Sequence, residues 1–251
     1  MLDIAIKVTN LAKKFGDVVA VENLTFNVRE GEIVGLLGGN GAGKTTTISM
    51  ILGLLIPTSG SLEVLGTDIL RQRYRVLSRI NFSSPYVDMP KRLTPRENLM
   101  VYAKLYGVPV PRRRLAHLAT DLAIDDLLDR PFGELSSGQK TRVSIAKSLL
   151  NKPALLLLDE PTASLDPDTA DWVRTYLKNY QQKRGATILL ASHNMSEVER
   201  LCDHVVMMKQ GSIVDHDRPA RLLEKYGRTT LEEVFLDIAR DRSSGQPKQE
   251  A

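Results

Sequence analysis

The chain has 251 residues, enough to bury a sizeable core as one large α/β domain or two small lobes. Its composition, 42% hydrophobic and 25% charged, excludes a disordered or fibrous protein. The formal net charge is only +4 and the basic residues are spread along the chain, so we expect no nucleic-acid partner.

Nothing in the sequence predicts that the protein is secreted or that it has a membrane-spanning segment. Met1 to Ile4 lacks the basic region and apolar run of a signal peptide, and no apolar stretch approaches the ~20 residues that cross a bilayer. The single cysteine, Cys202, allows no internal disulfide, which suits a reducing cytosol, and its apolar surroundings predict a core position. A role at a membrane would therefore require a partner that holds the protein there.

The densest basic run is Arg112 to Arg114, which follows Pro109 and Pro111. The simplest interpretation is a solvated helix start. The alternative is a contact with anionic lipid headgroups or with an acidic partner.

The first part of the chain is predicted to form strands. Residues Ile4 to Val8 alternate, and Val18 to Val28 carries two short β-type runs. Ile33 to Leu37 is a continuous apolar run, typical of a strand buried on both faces of a parallel sheet. A glycine-rich loop and a predicted helix from Thr45 to Leu55 follow, and Pro57 ends that helix.

The middle of the chain is predicted to be helical, from about Thr94 to Leu150. Thr94 to Glu97 is a capping-box start, with Thr as the N-cap, Pro at the first helical position and Glu three residues after the cap. Helical periodicity also marks Leu115 to Leu128 and Ser137 to Leu150.

Strand character returns in the last part of the chain, at Ala154 to Leu158 and at Thr187 to Ala191. A helix from Asp168 to Lys183 is predicted between these strands. Val205 to Met208 and Ser212 to Val214 are predicted to form a hairpin.

These elements predict one α/β domain over residues 1–240. Its core would comprise residues 1–85 and 151–240, and a helical subdomain would run from about residue 86 to residue 150. Residues 241–251 form a polar tail that we expect to be disordered.

Residues Gly38 to Thr45, GGNGAGKT, match the P-loop pattern G-x-x-x-x-G-K-[ST] between a predicted buried strand and a predicted helix. The glycines let backbone N–H groups turn towards phosphate oxygens, and the helix N-terminus adds roughly half a positive charge. Lys44 can reach the β- and γ-phosphates, and the Thr45 hydroxyl can ligate Mg²⁺. The alternative, a glycine-rich turn without a ligand, is opposed by the Lys-Thr pair and by the flanking elements.

Leu155 to Leu158 is a predicted apolar strand that ends in two acids, Asp159 and Glu160. The carboxyl end of a parallel strand opens on the ligand crevice. Asp159 is then placed to bind Mg²⁺, directly or through water, and Glu160 to orient or deprotonate the attacking water. Alone this pattern is weak, because acids after a strand are often only solvated, but with the P-loop it is interpreted as a Walker B segment.

Leu135 to Lys140, LSSGQK, opens a predicted helix just before that strand. Here the chain resembles the ABC ATPase family, whose signature is usually LSGGQ, and the resemblance covers nearly the whole chain. It implies the ABC ATPase fold, a P-loop core with a mixed sheet, an antiparallel β subdomain and a helical insertion. It also implies that the signature segment contacts the γ-phosphate held by the P-loop of a second subunit, in a head-to-tail dimer that encloses two ATP molecules.

The resemblance assigns roles to three further places. Phe15 matches the aromatic residue that packs against adenine, with a core role as the alternative. Ser164 to Pro167 resembles the D-loop, which crosses the dimer interface and here includes Asp166. His193 resembles the switch histidine, which senses the γ-phosphate and holds the water near Glu160.

The ligands implied by the resemblance are ATP and Mg²⁺. The implied catalytic residues are Glu160 and His193, and the implied metal ligands are Thr45 and Asp159. The implied nucleotide-binding residues are Phe15, Gly38, Gly39, Asn40, Gly41, Ala42, Gly43, Lys44, Thr45, Thr46, Ser136, Ser137, Gly138, Gln139 and Asp166.

The chain departs from the family pattern at three positions. Gly39 replaces the common Pro of the P-loop, and Ser137 replaces the first Gly of the signature pair, changes that should matter little. Pro85 replaces a Gln that in the family ligates Mg²⁺ and links the active site to the membrane partner. Because Pro has no side-chain oxygen, Ser83, Ser84 or a water would have to substitute.

The function implied by the resemblance is an ATP-binding and ATP-hydrolysing subunit of an ABC transporter. It would drive substrate export through a separate transmembrane permease by ATP-dependent dimer closure. The expected partners are the permease and a second ATPase subunit, in a homodimer on the cytoplasmic face of the inner membrane. A permease helix would dock in a groove lined by residues from Ser83 to about Tyr106, and Thr230 to Leu236 resembles the C-terminal helix of ABC-2 exporter ATPases.

Two other functions remain in competition. A soluble ABC ATPase acting on ribosomes or DNA usually has two ATPase domains or long coiled coils, and the sequence shows neither. A degenerate nucleotide-binding regulatory subunit is favoured by the missing Gln and opposed by intact Lys44, Asp159, Glu160 and His193.

Overall fold

The computed structural model describes residues 3–84, 87–163 and 165–240 of the chain. The predicted order of elements is confirmed, with strands first, a helical insertion next and alternating strands and helices last. The predicted tail, residues 241–251, lies outside the described residues, as do Pro85 and Ser164.

A four-stranded antiparallel sheet is built from the first part of the chain. Its strand order is β2-β1-β4-β5, with β1 (Ile4–Phe15), β2 (Val18–Arg29), β4 (Ser59–Val64) and β5 (Thr67–Asp68). The two runs predicted in β2 form one continuous strand, with Asn23 in the left-handed conformation (φ 50°) at a register shift against β1. This sheet is the expected antiparallel β subdomain.

A six-stranded mixed sheet forms the centre of the fold, in the order β10-β9-β3-β8-β7-β6. The strands are β3 (Ile33–Leu37), β6 (Ile80–Ser83), β7 (Leu155–Asp159), β8 (Thr187–Ser192), β9 (His204–Lys209) and β10 (Ser212–Asp217). All pairs are parallel except β9 with β10, which form the predicted hairpin. Every residue of β3, β7 and β8 is buried, as expected for strands covered on both faces.

The central sheet separates two hydrophobic clusters. Leu156 and Leu158 of β7 point into one, formed with the helical insertion and the C-terminal helices. Leu155 and Leu157 point into the other, which lies between the two sheets. Successive side chains of a strand alternate between its faces, so one apolar strand serves both clusters. Cys202 is buried in the first cluster, as predicted.

Ten α-helices lie in the described part of the chain. They are α1 (Lys44–Ile51), α2 (Ile69–Gln72), α3 (Tyr74–Leu77), α4 (Pro95–Leu105), α5 (Pro111–Asp121), α6 (Ser137–Leu149), α7 (Pro167–Arg184), α8 (Met195–Leu201), α9 (Pro219–Tyr226) and α10 (Leu231–Ala239). The helices α4, α5 and α6 form the expected insertion between β6 and β7. The capping box predicted at Thr94 is present.

Two predicted helices are shorter than the sequence suggested. The helix expected over Thr45 to Leu55 ends at Ile51, because left-handed Gly53 (φ 67°) turns the chain. The helix expected over Leu115 to Leu128 is α5, which ends at Asp121 before left-handed Ala123 (φ 49°) and a separate 3₁₀ turn. Apolar periodicity continues through both turns, and so it does not mark where the helices end.

The expectation that Arg112 to Arg114 is a solvated helix start is wrong for its last residue. Arg114 is buried, and its guanidinium donates to the carbonyl oxygens of Leu149 (2.5 Å) and Leu150 (3.2 Å). These carbonyls end α6 and have no partner within that helix, so the arginine satisfies them.

Candidate active site

The loop from Gly38 to Gly43 joins the end of β3 to the start of α1, at the carboxyl edge of the central sheet. Gly43, the N-cap of α1, is left-handed (φ 97°), and a Cβ there would lie 2.8 Å from the carbonyl oxygen of Ala20. A Cβ on Gly38 would lie 2.6 Å from the carbonyl oxygen of Met208. Both positions therefore require glycine, and the loop backbone packs directly on neighbouring backbone.

A cavity of about 340 Å³ opens in front of this loop. It brings together Lys44 and Thr45 from α1 with Asp159 and Glu160 from the end of β7. The full lining is Val18, Val19, Ala20, Gly39, Asn40, Gly41, Ala42, Gly43, Lys44, Thr45, Thr46, Asp159 and Glu160. The P-loop and the predicted Walker B segment thus share one cavity, as their motifs suggested.

The Lys44 ammonium lies over the loop. Its Nζ donates to the carbonyl oxygens of Gly38 (2.6 Å) and Gly39 (3.2 Å). Burial lowers the pKa of Lys44, and the charges of Glu160 and Asp159 oppose that shift. A buried cation beside two carboxylates gives the cavity charges of both signs.

Thr45 and Asp159 are in direct contact. The Thr45 hydroxyl donates to Asp159 Oδ2 at 3.2 Å, from α1 to the end of β7. Burial raises the pKa of Asp159, the bond from Thr45 opposes the shift, and the nearby Glu160 charge adds to it.

Glu160 stands in an unusual backbone conformation. Its φ is 51°, in the left-handed region that non-glycine residues rarely adopt, and its N–H donates to the carbonyl oxygen of Ala191 at 2.8 Å. Its Oε1 lies 2.8 Å from His193 Nδ1. The structure thus joins the two predicted catalytic residues, which lie at the ends of the neighbouring strands β7 and β8.

The signature segment does not line this cavity. Ser136 caps α6 in a capping box, in which Gln139 N donates to Ser136 Oγ (3.3 Å) and Ser136 N donates to Gln139 Oε1 (2.9 Å). Ser137 lines a second cavity of about 310 Å³, and a Cβ on Gly138 would lie 3.2 Å from Thr169 of α7. Within one chain, the two predicted halves of the nucleotide site are therefore apart.

The remaining predicted residues also lie outside the first cavity. Phe15 is half exposed, with Lys13 Nζ 5.0 Å from its ring centroid, which argues against the alternative core role. Asp166 is exposed and caps α7 by accepting from Thr169 N at 2.9 Å. Ser83 and Ser84 line the second cavity, beside α6.

Two sets of lining residues carry no sequence motif. Val18, Val19 and Ala20 at the start of β2 line the first cavity, although only the exposed apolar pair Val18-Val19 could have drawn attention to them. On another side of the P-loop, Phe235 of α10 lies beside Gly39, where a Cβ would be 3.8 Å from its ring. A cavity of about 180 Å³ lies between α10 and the loop.

The chain is similar in sequence to known proteins. Residues 21–163 match the ABC transporter family. The chain is 38% identical over 232 residues to the bacitracin transport ATP-binding protein BcrA of Bacillus licheniformis, covering 92% of this chain and 75% of that protein. It is 34% identical over 234 residues to the Nod factor export ATP-binding protein I of Ralstonia nicotianae, covering 92% and 73%.

Solved structures show the same fold. An ATP-binding subunit of an ABC transporter superposes with a TM-score of 0.85 at 28% identity, covering 95% of this chain and 100% of that one. The cbiO1 protein of Clostridium perfringens, part of the ABC transporter complex cbiONQ, superposes with a TM-score of 0.81 at 28% identity, covering 96% and 98%.

The fold and the shared cavity thus define an ABC ATPase, and the chain belongs to the ABC transporter family. It is an ATP-binding subunit of an ABC transporter of the exporter type, and it hydrolyses ATP. The predicted fold and the predicted transport function are confirmed.

Proposed function

We propose that Lys44, Thr45, Asp159, Glu160 and His193 form the ATP-hydrolysing site of this subunit. The observation that carries the proposal is that one cavity holds Lys44, Thr45, Asp159 and Glu160, with His193 bonded to Glu160. In this proposal the loop N–H groups and the N-terminus of α1 bind the phosphates, and Lys44 neutralises charge on the β- and γ-phosphates.

Thr45 and Asp159 fit a magnesium ion. Mg²⁺ prefers oxygen ligands and is usually bound by one or two carboxylates together with substrate phosphates. The hydroxyl and carboxylate are already 3.2 Å apart in the nucleotide cavity. When bound, the ion would supply charge neutralisation between the phosphate oxygens. Whether Ser83 or Ser84 contributes a further contact stays a prediction, and their place beside α6 gives it no support.

Glu160 and His193 are proposed to handle the attacking water. The Glu160 carboxylate lines the nucleotide cavity and can orient the water or accept its proton. His193 Nδ1, at 2.8 Å, fixes the direction of that carboxylate. The other imidazole nitrogen, which has no partner among the residues that the structure describes, would bond to the γ-phosphate or the water.

We further propose that two copies of the chain complete two sites between them. The signature residues Ser136 to Gln139 open α6 with a helix N-terminus that can bind an anion, yet they lie outside their own P-loop cavity. Asp166 and Phe15 are exposed on the surface. A head-to-tail homodimer would bring the signature segment of one copy to the phosphates held by the other.

The permease is proposed to dock in a cavity of about 640 Å³ between the core and the helical insertion. Its lining comprises Ser78, Tyr106, Gly107, Val108, Pro109, Val110, Arg113, Arg114, His117, Leu150, Asn151, Lys152 and Arg184. The expected groove, Ser83 to about Tyr106, meets this cavity only at Tyr106. Arg113, Lys152 and Arg184 have no ion-pair partner in the described part of the chain, so an acidic permease helix is the complementary occupant.

This docking would hold the subunit at the cytoplasmic face of the cell membrane. Among residues 3–84, 87–163 and 165–240, no helix combines the length and apolar character needed to cross a bilayer. Closure of the ATP-bound dimer would move both docking cavities together, and with them the two permease halves.

Two experiments test the proposal. The purified wild type should hydrolyse ATP, and Lys44→Ala should abolish hydrolysis and weaken ATP binding at least tenfold, since each charge-assisted bond contributes ~1.5–3 kcal/mol. Lys7→Ala, an exposed lysine on β1, is the matched control and should behave like the wild type. Wild-type turnover in Lys44→Ala would refute the site.

The second experiment tests membrane attachment. The protein should leave salt-washed membranes when the permease is deleted, and retention would refute docking through the permease.

A further inference from the structure

Glu197 of α8 is a buried carboxylate that joins two loops. Only 1% of its surface is exposed. The Thr162 hydroxyl donates to Oε1 and the Ser192 hydroxyl donates to Oε2, both at 2.7 Å. Ser192 Oγ also accepts a bond from Asn194 N at 3.0 Å. The carboxylate therefore links the loop after β7 to the end of β8.

These two segments carry the proposed catalytic pair. Thr162 lies two residues after Glu160, and Ser192 directly precedes His193. Glu160 is held in the left-handed region (φ 51°), a strained conformation that persists only where the surrounding structure fixes it. The bonds to Glu197 are part of that surrounding structure.

We infer that Glu197 is a positioning residue for ATP hydrolysis, which holds Glu160 and His193 at their 2.8 Å contact by bonding Thr162 and Ser192. The inference rests on the proposed roles of Glu160 and His193. It extends them to a residue that no motif marks and that does not line the nucleotide cavity.

The chemistry of the position supports this role. A buried carboxylate is costly unless hydrogen bonds satisfy it, and an apolar side chain would fill the space without that cost. Burial raises the pKa of Glu197, whereas the bonds from Ser192 and Thr162 lower it. The two oxygens of the planar Glu197 carboxylate can hold the hydroxyls of Thr162 and Ser192 at a fixed distance from each other.

The first test compares two carboxylates of the same helix. Glu197→Ala should lower kcat about ten- to hundredfold with little change in KM for ATP, because a misplaced catalytic group slows chemistry more than binding. Glu197→Gln should recover much of the rate, since an amide can accept from one hydroxyl and donate to the other. Glu199→Ala is the control, because among the described residues the Glu199 side chain accepts only from Leu231 N of α10, and it should keep the wild-type kcat.

The second test separates positioning from a general structural role. In single-turnover assays, Glu197→Ala should cause little further loss once Glu160→Gln has removed the group through which it acts. An equal loss in both backgrounds, or a wild-type kcat in Glu197→Ala, would overturn the inference alone. Should Glu197→Ala not fold, Thr162→Val removes one of the two bonds and takes its place in the cycle. Unchanged turnover in Glu160→Gln would overturn the proposed site and this inference with it.

Discussion

His193 Nδ1 lies 2.8 Å from Glu160 Oε1, across the carboxyl ends of the neighbouring strands β8 and β7. Each of the two residues directly follows the last residue of a buried strand. The contact also connects an exposed imidazole to a carboxylate on the wall of the proposed nucleotide cavity. In the proposed site, a change in the bound nucleotide would reach His193 through one side chain.

Glu160→Gln should keep ATP binding and lower turnover about 10²–10⁴-fold, because the amide preserves the shape and removes the base. ATP should then accumulate in a closed dimer. Size-exclusion chromatography with and without ATP measures this, and Glu199→Gln provides a control with the same change on α8. A strictly monomeric Glu160→Gln protein in saturating ATP would contradict the head-to-tail dimer.

Nucleotide affinity in the presence of Mg²⁺ should fall at acid pH. Burial raises the pKa of Asp159 above its ordinary value of 3.8. As the pH falls, the carboxylate that would bind the metal is therefore protonated at a higher pH than the carboxylate of an exposed aspartate would be. For the protein without a ligand, the contribution of Asp159 to the stability of the fold has the opposite pH dependence. A carboxyl whose pKa is higher folded than unfolded stabilises the fold at low pH, and this stability is lost as pH rises through that raised pKa.

The measurement is a series of nucleotide titrations and thermal unfolding curves between about pH 4 and pH 7. Asp159→Asn should remove most of the pH dependence of the affinity and reduce that of the unfolding temperature. Part of the pH dependence of the unfolding temperature should remain, because burial also raises the pKa of Glu197. If the nucleotide affinity of Asp159→Asn depends on pH as that of the wild type does, Asp159 is not the group that governs metal-dependent binding.

The two neighbouring glycines of the P-loop should differ in their response to alanine. In Gly38→Ala the new Cβ would lie 2.6 Å from the Met208 carbonyl oxygen, and overpacking of this kind costs ~1–3 kcal/mol. In Gly39→Ala it would lie 3.8 Å from the Phe235 ring, an ordinary contact. We expect Gly38→Ala to lose stability and ATP affinity and Gly39→Ala to keep both, as measured by thermal unfolding and nucleotide titration. Equal losses would mean that α10 and the loop are packed more tightly than the structure shows.

Reversing charge in the proposed docking cavity should release the protein from its permease. Arg113→Glu and Lys152→Glu would each place a like charge against an acidic helix, at sites away from the nucleotide cavity. Membrane retention in cells that contain the permease should fall, while the ATPase activity of the purified subunit stays unchanged. Arg112→Glu is the matched control, since Arg112 is exposed beside Arg113 but does not line the cavity. If Arg112→Glu lowers membrane retention as much as the other two substitutions do, retention depends on net charge. That result would argue for attraction to lipid headgroups instead of docking on the permease.

The sequence alone determined features that depend on short stretches of chain. The P-loop from Gly38 to Thr45, the apolar strands that precede it and Asp159, and the cap at Thr94 each follow from a few adjacent residues. Backbone propensity, capping and hydrophobic period act over such distances. The family resemblance extended these local patterns to the fold and to a transport function, and both were confirmed.

Only the tertiary structure decided which distant groups meet. It paired Thr45 with Asp159 and placed Glu197 between Thr162 and Ser192. It also buried Arg114 against the end of α6, where the sequence predicted a solvated residue. The contacts of Asp159 and Glu197 depend on the order of strands in the central sheet, because parallel strands far apart in the chain deliver their carboxyl ends to one edge. Local sequence carries no information on that order, and so the geometry of the proposed site exists only in the folded chain.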